Sequence, residues 1–239
     1  MDESARAQIT VDTFAVDALA RCPLFEHANR QMLESLAKSL RRRRFRRNEV
    51  IFHQGDPGDS LHVVAGGAVK ILLPSTEGEE AIIATLRPGD FFGELALLDG
   101  ATRSATAAAL EASETLVLPR PVLMDLLGTV PGLGDALLAG LAKELRRLTS
   151  QVEELHFLDL AGRLAMRLAR LAQESQPDAS GQISLAWPYT QSDLAAMIGG
   201  TRQSVNRLLA ELVDEGLIQI QPDALIIRDL GELARRAER

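Results

Sequence analysis

The sequence contains a single cysteine among its 239 residues, and this scarcity excludes several kinds of site. Cys22 has no partner for an internal disulfide, and an iron–sulfur cluster held by four cysteines of one chain is excluded as well. The four histidines, His27, His53, His62 and His156, show no zinc-ligand spacing. Haem ligation by one of them stays open, but we favour surface or capping roles for the histidines and expect no metal site.

Long apolar runs and enzyme motifs are also lacking. No uninterrupted apolar stretch is long enough to span a bilayer, and the N-terminal MDESARAQ lacks the basic and apolar regions of a signal peptide. We therefore expect a cytoplasmic protein without a membrane partner. There is no Gly-x-Ser-x-Gly elbow, no Walker loop, no His-Glu-x-x-His and no evident nucleophile–base motif. We accordingly predict no catalytic residues and no enzyme.

The chain does contain enough apolar sequence for two modest domains, since 46% of its residues are hydrophobic. Its net charge of −7 argues against DNA binding unless positive charge is concentrated locally. From residue 159 onward there are nine arginines and eleven acidic residues, a net charge of −2. Residues 201–210 nevertheless contain two arginines and no acid, which predicts a locally positive surface.

Two helices joined by a glycine turn are predicted by TQSDLAAMIGGTRQSVNRLLAELVDEG, residues 190–216. Thr190 and Asp193 form a capping-box start, a Gly-Gly pair breaks the first helix, and Thr201 caps the second. Gly216 is placed to end the second helix. This spacing is typical of a helix-turn-helix, and the alternative is an ordinary helical hairpin with solvated arginines.

The second helix is predicted to turn its polar side chains toward the DNA major groove. Leucine and valine recur on its opposite face, as expected for a buried stripe. Arginine can contact a guanine edge through two hydrogen bonds, which discriminates against a wrong base by ~1–3 kcal/mol. The predicted DNA-contacting residues are Thr190, Gln191, Thr201, Arg202, Gln203, Ser204, Asn206 and Arg207.

Two short apolar segments follow these helices and predict a β-hairpin wing. They are Leu217–Ile220 and Leu225–Arg228, which flank the turn sequence Gln221-Pro222-Asp223-Ala224. A winged helix-turn-helix favours DNA binding over the ordinary hairpin.

A dimerisation helix is predicted upstream by apolar residues at alternating spacings of three and four. The predicted seam consists of Leu138, Leu141, Leu145, Leu148, Val152 and Leu155. Nearly three heptads flanked by charged residues favour a parallel two-helix coiled coil, and hence a homodimer, over a helix packed on its own domain. Asp159 can cap the next helix, so we predict a hinge at residues 157–159 and a boundary near residue 158.

Between residues 40 and 120 the pattern changes to short apolar segments separated by glycine turns. The predicted strands are Val50–Phe52, Leu61–Val64, Val69–Leu73, Ala81–Leu86 and Thr115–Leu118. Such spacing is typical of antiparallel strands joined by tight turns and predicts a β-roll, or jelly roll.

Within this β-roll, the segment FGELALLDGATRSAT predicts an anion site. Gly93 supplies a turn that opens a short helix, and Arg103 follows at the start of the next strand. Free backbone N–H groups and a guanidinium could hold a phosphate from two sides. Glu94 accepts hydrogen bonds only, which suits a ribose hydroxyl.

These motifs, in this order, resemble the cyclic-AMP receptor protein and fumarate-nitrate regulator superfamily of bacterial transcription factors. The resemblance covers about residues 20–228. It implies an α+β fold with a cyclic-nucleotide-binding β-roll and flanking helices over residues 1–132. A dimerisation helix over 133–158 and a winged helix-turn-helix over 159–239 complete the implied organisation.

The resemblance also implies a homodimeric, sequence-specific regulator that binds a palindromic operator and responds to cyclic AMP or a related cyclic nucleotide, with no cofactor required. It assigns the cyclic phosphate and ribose to Gly93, Glu94, Leu95, Arg103 and Ser104. It further implies RNA polymerase as a partner, as for an activator. The alternative is an effector-independent factor with a vestigial or differently specific pocket.

Two departures from the family pattern concern specificity. Cyclic-AMP-responsive members present two small polar residues over the adenine, where this chain has Leu148 and Thr149. Thr149 could still bind the base; otherwise another ligand binds, or the leucine seam holds the active dimer without a ligand. Gln203 stands where many relatives carry glutamate, and an amide can pair with adenine instead of cytosine.

A run of arginines over residues 41–47, RRRRFRR, is a candidate nucleic-acid patch. Its position at the entrance to the first predicted strand favours a solvated basic strand. If this surface contacts a partner, the resemblance suggests RNA polymerase.

Overall fold

The computed structural model describes residues 12–173, 181–222 and 224–237. The chain divides into two compact units. One comprises Met1–Ile71 and Thr85–Ala142, and the other comprises Leu72–Ala84 and Lys143–Arg239.

Within the described residues, two short helices and a 3-10 turn precede the first strand. Asp12 accepts a hydrogen bond from the Ala15 amide at 3.3 Å and Asn29 accepts one from the Met32 amide at 2.9 Å, so each helix begins at a side-chain cap. The elements are α1 (Thr13–Ala20), the turn Pro23–Phe25 and α2 (Arg30–Ala37).

Eight strands form the β-roll as two four-stranded sheets. Glycines with positive φ, such as Gly67 (73°) and Gly89 (103°), lie in the turns between strands, where other residues would be strained. The strands are β1 (Arg41–Phe45), β2 (Val50–Phe52), β3 (Ser60–Gly66), β4 (Val69–Pro74), β5 (Glu80–Leu86), β6 (Phe91–Phe92), β7 (Thr106–Ala109) and β8 (Ser113–Pro119). One sheet has the order β1-β8-β3-β6 and the other β2-β7-β4-β5.

The predicted β-roll is thus confirmed, with more strands than the sequence patterns indicated. Strand β1 covers Arg41–Phe45 of the arginine run, as expected for the predicted basic strand. It pairs with β8 along its whole length, from Arg41 opposite Val117 to Phe45 opposite Ser113. Such a strand has no apolar alternation to reveal it, because only Phe45 is buried.

Three helices complete the first part of the chain, α3 (Leu95–Asp99), α4 (Arg120–Thr129) and α5 (Leu133–Phe157). The core beneath the first sheet is built from fully buried leucines, including Leu61, Leu97, Leu116 and Leu118. Helix α5 is 25 residues long. It ends at Phe157, and Asp159 caps the next helix by accepting a hydrogen bond from the Gly162 amide at 2.7 Å.

In its described residues, the C-terminal part combines four helices with a small sheet. Its elements are α6 (Leu160–Gln173), β9 (Ile183–Ala186), α7 (Gln191–Ile198), α8 (Arg202–Asp214), β10 (Ile218–Ile220), β11 (Ala224–Ile227) and α9 (Leu230–Ala237). The predicted hairpin is present as β10 and β11, and β9 adds a third strand that sequence patterns did not indicate. Its four residues are too few to stand out from a loop.

Among the residues that the structure describes, no single helix is long and apolar enough to cross a membrane. The helices Arg120–Thr129 and Leu133–Phe157 reach that length and hydropathy only when taken together, and the chain bends by 116° between them.

Candidate functional site: a helix-turn-helix face and a buried arginine

The two helices predicted at residues 190–216 begin and end at the expected caps. Thr190 Oγ1 accepts from the Asp193 amide at 3.1 Å, and the Asp193 carboxylate accepts from the Thr190 amide at 2.9 Å. This reciprocal pair is a capping box. Gly199 lies in the left-handed region at φ 68°, and Thr201 Oγ1 then accepts from the Ser204 amide at 3.1 Å to start α8.

Helix α8 separates an apolar face from a polar one, as predicted. Val205, Leu208, Leu209 and Leu212 are buried. The polar side chains are outward, with Ser204 half-buried and the others exposed: Arg202, Gln203, Asn206 and Arg207. The Arg207 guanidinium lies 3.6 Å from the Glu211 carboxylate, and 71% of its side chain is exposed.

The first residue of α7 connects the two helices on this polar face. Gln191 Nε2 donates to Asn206 Oδ1 at 2.8 Å. Arg202 Nε donates to Gln191 Oε1 over a longer distance of 3.5 Å. Residues from both helices therefore form one hydrogen-bonded surface.

In the β-roll, the residues of the predicted anion site meet around Arg103. Gly93 has a φ of 83°, and a Cβ atom built there would lie 2.5 Å from Arg103 Nη1 and 3.2 Å from the Ser60 carbonyl oxygen. Only glycine fits this position without displacement, for reasons of both conformation and space. The turn lets the Gly93 carbonyl accept a hydrogen bond from Arg103 Nη1 at 2.8 Å.

Arg103 is buried, with 3% of its side chain exposed. Its Nη2 donates to Ser60 Oγ at 3.2 Å, and the Phe52 ring centroid lies 4.2 Å from the guanidinium carbon. Its buried Nε has no hydrogen-bond partner among the described residues. Arg103 Nη2 forms an ion pair with Asp59 Oδ1 at 3.8 Å, and the Asp59 side chain is largely exposed.

Burial lowers the pKa of Arg103, although Asp59, Glu94 and Asp56 act in the opposite direction. Desolvation thus outweighs the neighbouring carboxylates. A buried cation with incomplete charge compensation is the local environment that favours a bound anion.

His62 lies beside this arginine, and its position corrects the prediction that the histidines have surface or capping roles. It is buried, its ring stacks on Phe92 at 5.0 Å between centroids, and Nδ1 lies 3.2 Å from Thr115 Oγ1. Burial lowers the pKa of His62 to about 3, and the charge of Arg103 adds to this effect. The ring is therefore neutral and part of the packing around Arg103.

The other residues predicted for the effector site have different environments. Glu94 precedes α3 and its carbonyl accepts from the Leu97 amide at 2.9 Å, while Leu95 and Ser104 are exposed. Thr149 lies on α5, where its hydroxyl donates to the Leu145 carbonyl at 2.9 Å. Ser60, Phe52 and His62 were not predicted, since they lie more than forty residues before Arg103 in a segment without a binding motif.

The predicted seam on α5 is partly exposed. Leu138, Leu145 and Val152, which are seven residues apart, are 65%, 66% and 56% exposed. Leu155 is also exposed, whereas Leu141 and Leu148 are half-buried. Leu141 packs against the core of the first unit.

The arginines of β1 are exposed on both faces of the strand. Arg42 forms an ion pair with Glu114, and Arg44 Nε lies 3.2 Å from the same carboxylate. Arg43 covers the Phe45 ring at 5.0 Å. These contacts fit the predicted solvated basic strand.

Comparisons with known proteins agree with this architecture. The family model "Cyclic nucleotide-binding domain" matches residues 42–129, and "Crp-like helix-turn-helix domain" matches residues 162–236. A CRP-like cAMP-activated global transcriptional regulator of Mycobacterium tuberculosis is 31% identical, over 92% of this chain and 99% of its own. The cyclic AMP receptor protein of Thermus thermophilus is 31% identical, over 88% of this chain and 94% of its own.

Solved structures share the fold. FixK2 from Bradyrhizobium japonicum matches with a TM-score of 0.74 and 23% identity, over 82% of this chain and 96% of its own. A CRP/FNR-family transcriptional regulator from Thermus thermophilus matches with a TM-score of 0.68 and 28% identity, over 83% of this chain and 99% of its own.

The chain therefore belongs to the cyclic AMP receptor protein (CRP) family and is a DNA-binding transcription regulator with a cyclic nucleotide-binding domain. The superfamily resemblance drawn from the sequence motifs is confirmed. Its relatives are transcription regulators, in agreement with the expectation that the chain is not an enzyme.

Proposed function

We propose that this protein is a homodimeric, sequence-specific transcription regulator whose operator affinity is raised by a cyclic nucleotide bound at Arg103. The effector assignment rests on Arg103, because its guanidinium is buried and its positive charge is only partly compensated by neighbouring carboxylates. The cyclic phosphate would bind at Arg103 and Ser104 near the Gly93 turn, Glu94 would accept from the ribose, and Leu95 would line the site. Two relatives bear names that couple them to cyclic AMP, which supports this class of effector.

The dimer is proposed from the exposed half of the α5 seam. Leu138, Leu145 and Val152 repeat at a heptad spacing and leave large apolar surfaces in contact with water. A second copy of the helix would bury them, and each such side chain contributes roughly 1.5–3 kcal/mol when fully buried. Half-buried Leu141 and Leu148 would complete the seam with Leu155.

DNA recognition is assigned to the polar face of α8. Arg202, Gln203 and Arg207 would read base edges, while Ser204 and Asn206 would contact bases or phosphates. Thr190, Gln191 and Thr201 lie at the two helix starts, where they would contact the backbone phosphates. Two such faces in a dimer would occupy successive major grooves, ~34 Å apart, on a palindromic operator.

The long helix provides a route between nucleotide and DNA. Gln151 Nε2 donates to the Ile83 carbonyl of β5 at 3.0 Å, and Arg147 donates to the same oxygen. A ligand that stiffens the roll would thereby bias α5 and the hinge after Phe157. The change in operator affinity is limited by the ligand's differential affinity for the two states.

A second candidate function is an effector-independent regulator held active by the seam. It is favoured by Leu148, an apolar side chain where a hydroxyl is expected, and by Thr149, whose hydroxyl already bonds Leu145 on its own helix. Arg103 also donates to two protein groups, Gly93 and Ser60.

Two further assignments extend the proposal. Because chromosomal DNA is the proposed target, we expect the protein to act in the cytoplasm. The exposed arginines of β1 offer a basic surface for RNA polymerase, as expected of an activator.

Fluorescence anisotropy on a labelled palindromic promoter fragment, at fixed salt, with and without cyclic AMP, tests the two functions. We expect about a tenfold or larger gain in affinity with nucleotide. Tight specific binding that nucleotide leaves unchanged would favour the effector-independent regulator.

Leu145→Glu should abolish the dimer in sedimentation and weaken operator binding, whereas the matched control Leu98→Glu, an exposed leucine outside the seam, should do neither.

A further inference from the structure

Helix α5 contains a glycine in its interior, Gly140, although glycine disfavours a helix more than any residue except proline. A Cβ atom built at this position would lie 2.9 Å from Cζ and 3.3 Å from Cε1 of the Phe91 ring. The other glycine of α5, Gly134, has no described atom within 4 Å of such a Cβ. Gly140 and Phe91 both belong to the first compact unit. Gly140 therefore leaves the space that the Phe91 ring occupies.

Phe91 begins β6, a strand of two residues that ends immediately before Gly93. This strand lies at the edge of its sheet and pairs with β3. Because successive side chains of a strand point to opposite faces, its two rings contact different parts of the core. Phe91 packs against the leucine core beneath the first sheet, whereas Phe92 belongs to a second cluster with Phe45 and Val64. The position of this short edge strand thus depends on the packing of both rings.

The same strand is connected to Arg103 in two ways. The Phe92 ring lies 5.8 Å from the Phe52 ring, centroid to centroid, and the Phe52 centroid lies 4.2 Å from the Arg103 guanidinium carbon. The residue after β6, Gly93, accepts a hydrogen bond from Arg103 Nη1 at 2.8 Å through its carbonyl. A displacement of β6 would therefore disturb both a ring and a carbonyl that hold Arg103 in place.

We propose that Gly140 is a positioning residue of the nucleotide site, because it provides the space for Phe91 and so determines where the Gly93 turn meets Arg103. A side chain at position 140 would push the Phe91 ring, and β6 with it, away from α5. Nucleotide binding would then have to reverse this displacement, and the cost would be measured as lost nucleotide affinity. This inference rests on the proposed binding of a cyclic nucleotide at Arg103.

Gly140→Ala tests this role by adding one methyl group beside the ring. In calorimetric titration of the full chain, its affinity for cyclic AMP should fall about fivefold or more, the lower end of the effect of overpacking a core. The matched control Gly134→Ala adds the same group to the same helix in open space, and its affinity should stay within about twofold of wild type. The Gly93 amide resonance of the nucleotide-free protein should shift in the first variant and not in the second.

A second substitution shows whether Gly140 acts through Phe91. Phe91→Leu removes the ring atoms that the new methyl group would meet. In this background, Gly140→Ala should no longer lower the affinity for cyclic AMP, since the two positions are coupled through one contact. Damage to α5 itself would persist in this background, and sedimentation and thermal unfolding of each variant would detect it.

Three results would each overturn the inference: wild-type nucleotide affinity in Gly140→Ala, an equal loss in Gly134→Ala, or a loss that persists with Phe91→Leu. Failure of the proposed function is recognised separately. If Arg103→Leu binds cyclic AMP as tightly as wild type, the nucleotide site is wrongly assigned and the positioning role of Gly140 fails with it. If Arg103→Leu loses binding and Gly140→Ala does not, the site stands and only the role of Gly140 fails.

Discussion

The two arginine sites of this protein differ in how far the arginine side chain is exposed to solvent. In the β-roll, 3% of the Arg103 side chain is exposed, and a phenylalanine ring, a carbonyl and a hydroxyl surround its guanidinium. On α8, 71% of the Arg207 side chain is exposed beside one carboxylate. A small anion can bind a buried guanidinium such as that of Arg103. DNA, in contrast, is contacted by exposed side chains that reach outward into its groove.

This contrast has energetic consequences. Electrostatic interactions at a buried charge are screened less by water and salt than those at the surface, so a ligand contact there is worth more and its loss costs more. An exposed arginine contributes little to stability because its solvation changes little on folding. The two sites should therefore respond differently to substitution.

The largest effect is expected for Arg103→Leu on nucleotide binding. Removing one partner of a buried charged contact costs about 2–5 kcal/mol, so cyclic AMP affinity should fall about 100-fold or more in calorimetric titration. Folding should persist, because the leucine would lie against the Phe52 ring that now contacts the guanidinium. Unchanged nucleotide affinity would remove Arg103 from the site.

A smaller but still large effect is expected when a methyl group is added at the Gly93 turn. Gly93→Ala should destabilise the fold by roughly 2–3 kcal/mol, since positive φ costs about 1–2 kcal/mol and the Cβ would clash with Arg103 Nη1 at 2.5 Å. Gly55→Ala is the matched control, with a φ of 87° and no atom within 4 Å of its Cβ. Equal losses in chemical denaturation would show that the Arg103 clash contributes nothing.

Arg202→Ala should act on DNA specificity and leave stability almost unchanged. We expect discrimination at one operator position to fall by about 1–3 kcal/mol, with the free energy of unfolding within about 0.5 kcal/mol of wild type. Anisotropy on a set of single-base operator variants measures the first, and urea denaturation the second. A uniform loss across all variants would instead make Arg202 a phosphate contact.

The smallest effect is a pH dependence of stability that originates in His62. Its pKa of about 3 in the folded protein lies below the ordinary value of 6.5, so the unfolded chain binds more protons between these pH values. Stability should therefore fall as the pH falls below 6.5, by about 1 kcal/mol down to pH 5.5.

His62→Phe, which keeps the stacking on Phe92, should flatten this slope. Denaturation midpoints across this pH range provide the measurement. A slope that is identical in wild type and His62→Phe would exclude His62 as its source.

Much of the DNA-binding part could be predicted because its signals are local. A capping threonine, an acid three residues later and a glycine after the last helical residue each fix a helix end through neighbouring backbone groups. The leucine spacing of α5 similarly predicted a helix with an apolar stripe. These features depend on residues within one or two turns of each other.

The surroundings of Arg103 could not be predicted in the same way. Its motif predicted the Gly93 turn, but not the contacts of the guanidinium with Ser60 of β3 and Phe52 of β2, which belong to different sheets. His62 packs beside the same Phe52 ring. The arginine run was predicted as a basic strand from its position, but its pairing with β8 could not be predicted because the run has no apolar alternation.

The sequence by itself determined the β-roll, the long helix α5, and the two helices of the helix-turn-helix with their caps and outward polar residues. The tertiary structure alone decided that Arg103 is buried against Phe52, that His62 is neutral and internal, and that Gln191 donates a hydrogen bond to Asn206. Helix ends and periodicity follow from hydrogen bonds and side-chain directions among near neighbours in the chain. Burial and cross-element hydrogen bonds follow from which distant segments pack together, and this depends on the whole core.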